Sequence, residues 1–301
     1  MIYSFQELVC SVKNAGRRIA VAAAQDAEVL TAVRRAADLG IVKPILVGEE
    51  AGIRAIAGER GISLAGMEII DEPDKAEACR KAVKLVHDGD ADVVMKGIVD
   101  TSVILKAVLD KDMGLRESPV LSHVALFGVE GFDRLLYITD AAMCIAPDVE
   151  QKTHIIDNAV KVAHALGNEN PIVACLCAVE KINPKMQATL DAAELVERNK
   201  RGEIAGCTVC GPLALDNAVS EEAARHKGIT DPSAGKADIL LVPYIEAGNI
   251  FYKSLTYMAK AQTAGMIVGA RAPVVVTSRA DSDETKLHSI ALAIAVAAKN
   301  A

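Results

Sequence analysis

Residues Ala272–Leu287, APVVVTSRADSDETKL, join a run of apolar residues to a polar loop and then to the start of a helix. The segments Ala91–Lys106 (ADVVMKGIVDTSVILK) and Ala237–Lys253 (ADILLVPYIEAGNIFYK) are built in the same way. Short continuous apolar runs such as PVVV and ILLVP are typical of strands that are buried on both faces, as in a parallel sheet. Because such runs alternate with helical segments along the chain, the sequence predicts an α/β fold with parallel sheets.

The polar loops that follow these strands are the first place to look for a binding site. In α/β sheets, ligands bind at the carboxyl ends of the strands, where helix N-termini offer N–H groups to anions. Ser278 and Arg279 stand at the end of the run VVVT. A hydroxyl and a guanidinium at this position suit a phosphorylated substrate and a developing oxyanion. These two residues are therefore the leading candidates for chemistry.

Composition limits the possible partners. The chain of 301 residues has a formal net charge of −7, only 3% aromatic residues and no tryptophan, which disfavours nucleic acid and an anionic membrane surface as partners. The sequence shows no signal peptide and no apolar segment of about 20 residues, the length needed to cross a bilayer. Seven scattered cysteines indicate reduced thiols. We therefore expect a cytoplasmic protein.

The alternation of strands and helices is interrupted at Thr139–Pro147, TDAAMCIAP. We place a domain boundary there and expect the last strand and the last helix to return to the first domain. The predicted first α/β domain comprises residues 1–139 plus 273–301, and the predicted second α/β domain comprises residues 140–272.

Several motifs of common enzyme classes are absent. There is no phosphate loop G-x-x-x-x-G-K-[ST], no G-x-G-x-x-G after a strand, no H-E-x-x-H and no G-x-S-x-G. The histidines lack metal-ligand spacing, so we predict no catalytic metal. Cys207 and Cys210 have redox spacing, but they lie in an apolar, strand-like run, where packing is the simpler interpretation.

Transfer of an acyl group between a thiol and phosphate needs donors for the oxyanion, a cation for the phosphate and an acceptor for the thiol proton. The loop after PVVV offers all three in Ser278, Arg279 and the acids Asp281, Asp283 and Glu284. The alternative is that the hydroxyl and the acids cap the last helix. For Asp281 and Ser282, capping is the interpretation we favour.

Five longer segments carry a family resemblance: Ile19–Val33, Thr139–Lys152, Gly206–Ile229, Ala237–Leu255 and Ala272–Leu292. They resemble the phosphate acetyl/butyryltransferase family, and most of all its phosphate butyryltransferase branch. The resemblance implies an acyltransferase that interconverts short-chain acyl-CoA, butyryl-CoA foremost, plus phosphate with acyl phosphate plus CoA in a ternary complex. It also implies two α/β domains around a cleft, as in isocitrate and isopropylmalate dehydrogenases, and a homodimer or higher homo-oligomer. CoA would be a co-substrate, with no cofactor.

The same resemblance implies roles for individual residues. Ser278 would bond the reacting carbonyl or thiol, and Arg279 would hold the phosphoryl group. The family's aspartate base matches Thr285 here, so that the neighbouring Glu284 becomes the candidate base, narrowly ahead of Asp283. The positions implied for substrate binding are Lys106, Thr101, Ser122, His123, Asp216, Gly248, Asn249 and Asp283.

Structural roles stay open for several of these positions. Thr101 and Ser102 could cap a helix, and Asp216 could belong to a turn. Asn249 could begin a helix, Gly248 could allow a close backbone approach, and a lone histidine such as His123 is more often structural.

Three other functions remain as alternatives. A phosphate acetyltransferase would differ only in the acyl group. A hydroxyacid dehydrogenase on the same fold would need NAD and aspartates arranged for a divalent metal. A CoA-binding protein without catalysis is suggested by Thr285 at the position of the base.

Overall fold

The computed structural model describes residues 1–278 and 281–299, which contain eleven strands and eleven α-helices. The strands are β1 (Arg17–Ala22), β2 (Val42–Gly48), β3 (Glu68–Asp71), β4 (Val93–Lys96), β5 (Ser122–Gly128), β6 (Leu136–Thr139), β7 (Ile172–Leu176), β8 (Thr208–Leu213), β9 (Ile239–Leu241), β10 (Gln262–Val268) and β11 (Val274–Val275). The helices are α1 (Phe5–Ser11), α2 (Ala27–Asp38), α3 (Glu50–Arg60), α4 (Lys75–His87), α5 (Thr101–Val108), α6 (Val149–Ala165), α7 (Gln187–Lys200), α8 (Leu215–Val219), α9 (Glu221–His226), α10 (Ile245–Lys253) and α11 (Asp283–Ala297). A π-helical turn, Ser254–Met258, follows α10.

The described residues divide into two compact units. The first unit contains residues 5–119 and 264–299, and the second unit contains residues 1–4 and 120–263. Division into the domains 1–139 plus 273–301 and 140–272 stays a prediction. Within the described ranges, no helix is both long enough and apolar enough to span a membrane.

The sheet of the first unit has the strand order β3-β2-β1-β4-β11-β10. The first five strands are mutually parallel, whereas β10 runs antiparallel to β11. The strand at β10, QTAGMIV, is absent from the sequence-based prediction. Its central residues are buried, but alanine and glycine give the segment a weak strand signal.

The sheet of the second unit has the order β5-β6-β9-β7-β8. Here β6, β9, β7 and β8 are parallel, and β5 is antiparallel to β6. The prediction of an α/β fold is therefore confirmed, and the sheets are mixed rather than parallel throughout. The short connection between β5 and β6 explains the difference, because parallel neighbours need a long crossover.

Helix α11 is the most extensively buried helix of the first unit. Ser282 caps it by accepting the N–H of Thr285 at 3.1 Å, which confirms the prediction of capping by Ser282. From Lys286 to Ala297 every residue is buried, and the helix packs against α1, α2 and the sheet. A helix that is apolar on all sides belongs in a core, and LHSIALAIAVA fits that rule.

Shortening a buried side chain of this helix should destabilise the first unit. Leu292 is completely buried, and removal of a buried leucine side chain costs about 2–5 kcal/mol in free energy of unfolding. We expect Leu292→Ala to lower that free energy by an amount in this range in chemical denaturation. The control is Ile182→Ala, because Ile182 is 60% exposed. Equal losses in the two variants would contradict this description of the core.

Candidate active site

The loops after β4 and β11 begin side by side at the carboxyl edge of the first unit's sheet. The two strands are parallel, with Val274 beside Val94 and Val275 beside Met95. The loop after β4 leads into α5, which begins at Thr101, and the loop after β11 contains Ser278. The structure therefore brings two of the predicted groups of site residues to the same edge.

The loop after β11 is closed by an aspartate. The backbone N–H of Ser278 donates to Oδ2 of Asp281 at 2.7 Å, and Ser278 itself is exposed. Asp281 thus bonds within the loop, whereas Ser282 is the residue that caps α11. Arg279, the predicted phosphate-binding residue, lies outside the described residues.

The two acids that open α11 differ in their surroundings. Asp283 accepts from Nη1 of Arg35 at 2.7 Å in an ion pair. Glu284 is exposed. The hydroxyl of Thr285, at the position of the family's base, accepts from the hydroxyl of Ser282 at 3.2 Å. Substrate contact by Asp283 and base function of Glu284 stay predictions.

Two buried lysines lie at this edge that the sequence-based prediction of site residues does not include. Lys96 ends β4 and is 5% exposed, and its ammonium donates to the carbonyls of Gly97 and Val99, both at 3.1 Å. Lys286 is 2% exposed and bonds to the loop after β11. The available signal was a lone lysine in an apolar segment, VVMKG or KLHSIAL.

The loop after β4 is pressed against the end of β1. A Cβ atom on Gly97 would lie 2.1 Å from the carbonyl oxygen of Ala23, so this position requires glycine. Asp100 holds the N-cap position of α5, and Thr101 is the first helical residue. Capping by Thr101 is therefore not its role here.

Lys106 lines an open cavity on α4 and α5. The cavity measures about 350 Å³, and its other polar lining residues are Arg80, Ser102 and Asp110. Lys106 lies more than one helical turn after Thr101 in α5. A lysine and an arginine at one opening suit an anionic group, although Arg80 also pairs with Glu77. Substrate binding by Lys106 and Thr101 stays a prediction.

In the second unit, predicted residues meet at the end of β6. The antiparallel register pairs Ala125 with Ile138, so that the start of β5, which contains His123, lies beside the end of β6. The hydroxyl of Thr139 donates to the carbonyl of His123 at 3.0 Å. Asp140 is buried, and its carboxylate accepts the N–H groups of residues 142, 143 and 144 at 2.9–3.1 Å. This loop-forming role of Asp140 is absent from the sequence-based prediction.

Helix α10 contributes two of the predicted residues to the same place. A Cβ atom on Gly248 would lie 2.9 Å from Cα of Ala141 and 2.7 Å from Cγ2 of Val242, which confirms a close backbone approach. The side-chain amide of Asn249 donates to the carbonyl of Ala141 at 3.5 Å. His123 contacts α10 through an edge-to-face arrangement with Tyr252.

Ser122 and Asp216 have structural partners. The hydroxyl of Ser122 is completely buried and accepts from Nδ2 of Asn158 at 3.0 Å. Asp216 is exposed and pairs with Nζ of Lys227 at 3.0 Å. A hydrogen bond from Lys227 lowers the pKa of Asp216. Substrate contact by Ser122, His123, Asp216, Gly248 and Asn249 stays a prediction.

The cysteines of the second unit behave as packing residues. All seven cysteines of the chain are free thiols, and Cys207 and Cys210 are buried. Burial raises the pKa of Cys207 to about 11 and that of Cys210 to about 12. Thiols of this kind are poor nucleophiles near neutral pH. Among the residues that the structure describes, no group of three His, Cys, Asp or Glu side chains could hold a metal ion.

Comparison with known proteins identifies the family. The family described as "Phosphate acetyl/butaryl transferase" matches residues 4–79 and 75–294. The chain belongs to the phosphate acetyl/butaryl transferase family. This membership confirms the resemblance seen in the sequence.

Three known proteins are similar to this chain over almost its whole length. The phosphate butyryltransferase of Clostridium acetobutylicum is 54% identical over 298 residues, which are 99% of each chain. The phosphate acetyltransferase of Thermotoga maritima is 47% identical, covering 95% of this chain and 97% of that protein. The crystal structure of a branched-chain phosphotransacylase from Enterococcus faecalis has a TM-score of 0.83 and 36% identity, covering 93% of this chain and 99% of that one.

The two buried cysteines should be dispensable in this member of the phosphate acetyl/butaryl transferase family. We expect the double substitution of Cys207 and Cys210 by alanine to leave the acyl-transfer rate within a few-fold of the unmodified protein, because neither thiol is ionised near neutral pH. The measurement is a steady-state rate, with thermal unfolding as the control for folding. Lost turnover in a folded double variant would show that a thiol takes part in catalysis.

Proposed function

We propose that this chain transfers a short-chain acyl group, butyryl foremost, between CoA and inorganic phosphate. The observation that carries the proposal is the 54% identity, over 99% of both chains, to a protein named phosphate butyryltransferase. The names of the relatives agree with the acyltransferase function predicted from the sequence. The proposal includes a domain organisation like that of isocitrate and isopropylmalate dehydrogenases.

The carboxyl edge of the first unit's sheet supports this chemistry. Ser278 follows β11, and the helix with Thr101 and Lys106 follows the neighbouring strand β4. A hydroxyl and two nearby loops at the ends of parallel strands form the usual setting of an anion site in an α/β sheet. Arg279, next in sequence to Ser278, would supply the planar donor that phosphate favours.

Acyl transfer would proceed directly between the two substrates. A phosphate oxygen attacks the thioester carbon, the carbonyl oxygen becomes an oxyanion, and the carbon–sulfur bond then breaks to release CoA as a thiolate. The Ser278 hydroxyl would donate to the oxyanion, an interaction that strengthens as charge develops. Arg279 would hold the phosphate in position for attack.

Glu284 would move the thiol proton. In the direction of acyl-CoA formation, its carboxylate takes the proton from CoA, and the thiolate attacks the carbonyl carbon of the acyl phosphate while phosphate leaves. The exposed side chain of Glu284 supports this role, whereas the carboxylate of Asp283 is engaged by Arg35 at 2.7 Å. An acceptor is useful because the pKa of a free thiol is about 8.5.

The remaining predicted residues would bind the two substrates. Lys106 and Thr101 would contact phosphate groups. Other parts of the substrates would be contacted by five residues of the second unit: Ser122, His123, Asp216, Gly248 and Asn249. CoA would be a co-substrate rather than a cofactor. The proposal further includes a cytoplasmic location and a homodimer or higher homo-oligomer.

The substrate proposal can be tested with a panel of thioesters. We expect thiol release from acetyl-, propionyl-, butyryl- and isobutyryl-CoA only when phosphate is present, with the highest kcat/KM for butyryl-CoA. The preference should be graded, because each methylene in an apolar pocket contributes about 1–3 kcal/mol. The measurement is the release of CoA thiol, with and without added NAD and Mg²⁺ as the control.

The panel also separates the alternatives. Release without phosphate would indicate a thioesterase and contradict the proposal. A preference for acetyl-CoA would favour the phosphate acetyltransferase activity for which the relative from Thermotoga maritima is named. Turnover only with NAD would indicate a dehydrogenase, and CoA binding without any turnover would indicate a non-catalytic protein.

The base can be tested with a matched pair of amide variants. We expect Glu284→Gln to lower kcat mainly near neutral pH, by about 10²–10⁴-fold for a lost general base, and to recover as the thiol ionises at higher pH. Asp283→Asn is the matched control and should show a nearly unchanged pH profile. The measurement is the rate of butyryl-CoA formation from butyryl phosphate across pH. The reverse outcome would assign the base to Asp283.

A further inference from the structure

Lys286 is a buried cation in the second turn of α11. It is 2% exposed, although a lysine this deeply buried is rare in folded proteins. Its ammonium donates to the carbonyl of Asp281 at 2.5 Å and to the carbonyl of Ser278 at 3.4 Å. Taking a charge out of water costs free energy that only well-made hydrogen bonds offset. The position of this lysine therefore depends on the loop to which it bonds.

The two carbonyls flank positions 279 and 280 of the loop after β11. A third hydrogen bond, from the N–H of Ser278 to the carboxylate of Asp281 at 2.7 Å, joins the same two residues. Asp281 thus accepts once through its side chain and once through its backbone. Together these bonds tie Ser278 and Asp281 to one ammonium group and to each other.

Helix α11 gives this attachment a rigid base. The helix is buried from Lys286 onward, and Ser289, one turn later, accepts the N–H of Gly265 at 3.0 Å and donates to the carbonyl of Thr285 at 2.8 Å. A loop bonded to such an element is held far more closely than a loop that is bonded only to itself.

Packing alone does not account for a lysine at this position. An apolar side chain of similar length would fill the same space without the cost of burying a charge, and such replacements are often neutral or stabilising. The neighbours Leu287 and Ile290 are apolar and buried. What lysine adds is a donor that reaches the two carbonyls of the loop.

We propose that Lys286 is a positioning residue that fixes the backbone of Ser278 and Asp281 for phosphate and acyl transfer. The inference rests on the proposed function, since it assigns that loop to the reacting groups. Lys286 acts through the backbone at Ser278 and Asp281 and does not itself contact substrate. Its charge also raises the positive potential beneath a loop that is to receive an anion.

The test compares Lys286→Met with Lys286→Arg and with Ser289→Ala. In Lys286→Met we expect kcat/KM for phosphate to fall by about 10²-fold, the effect of misplacing a reacting group by roughly 1 Å, while KM for butyryl-CoA stays nearly unchanged. Lys286→Arg should recover most of the loss, because a guanidinium can donate to the same carbonyls. Ser289→Ala weakens the same helix and should lower the Tm without changing the kinetics for phosphate.

A second measurement needs no substrate. Hydrogen exchange of the Ser278 amide should be faster in Lys286→Met than in the unmodified protein and unchanged in Ser289→Ala. If Lys286→Met does not fold, Lys286→Gln takes its place, because it keeps an N–H donor and should show a smaller effect of the same kind. Unchanged exchange at Ser278 would overturn the inference, and so would unchanged kinetics for phosphate in an active enzyme.

The two proposals fail in different ways. If the unmodified protein shows no phosphate-dependent release of CoA, the proposed function is wrong, and the role of Lys286 in catalysis is wrong with it. Faster exchange in Lys286→Met would then still show that the lysine fixes the loop. If the unmodified protein is active but Lys286→Met and Ser289→Ala have the same kinetics, only the inference about Lys286 is wrong.

Discussion

The pairing of Val274 and Val275 with Val94 and Met95 is the contact on which the candidate site of the first unit depends. It joins segments far apart in the chain, so its formation carries a large cost in loop-closure entropy. A strand of two residues makes too few ladder hydrogen bonds to offset that cost alone. The compensating free energy comes from α11, the next element after β11, because this helix buries apolar surface on all its sides. The site is therefore held in register by the core beneath it.

Three buried charged side chains, those of Lys96, Lys286 and Asp140, bond to the backbone of loops that follow strands. Lys96 and Lys286 donate to carbonyls of the loops after β4 and β11, and Asp140 accepts three N–H groups of the loop after β6. Loops at strand ends leave backbone groups without ladder partners, and these groups must be satisfied when they are buried. Charged groups make the stronger hydrogen bonds that such positions need. The same bonds hold in place the described backbone groups that they contact.

The acids at the start of α11 have different surroundings. Ser282 caps the helix, and Asp283 forms an ion pair with Arg35 on α2, a helix that packs against α11. Asp281 closes the loop onto Ser278. Glu284 remains as an exposed carboxylate beside the loop. Acids that look equivalent in the segment ADSDET thus have different partners, and this difference supports one of them over the others as the proton acceptor.

The sequence by itself determined the α/β class, the cap at Ser282, the family and the loop that begins at Ser278. These features follow from local patterns: continuous apolar runs, a hydroxyl before a helix, and long motifs read along the chain. Only the tertiary structure decided the antiparallel strand β10, the ion pair of Asp283 and the burial of Lys96 and Lys286. Strand order and side-chain partners depend on contacts between residues distant in sequence. A local sequence pattern carries no information about such contacts. A lysine in an apolar helix reads as a surface residue until the fold shows which carbonyls surround it.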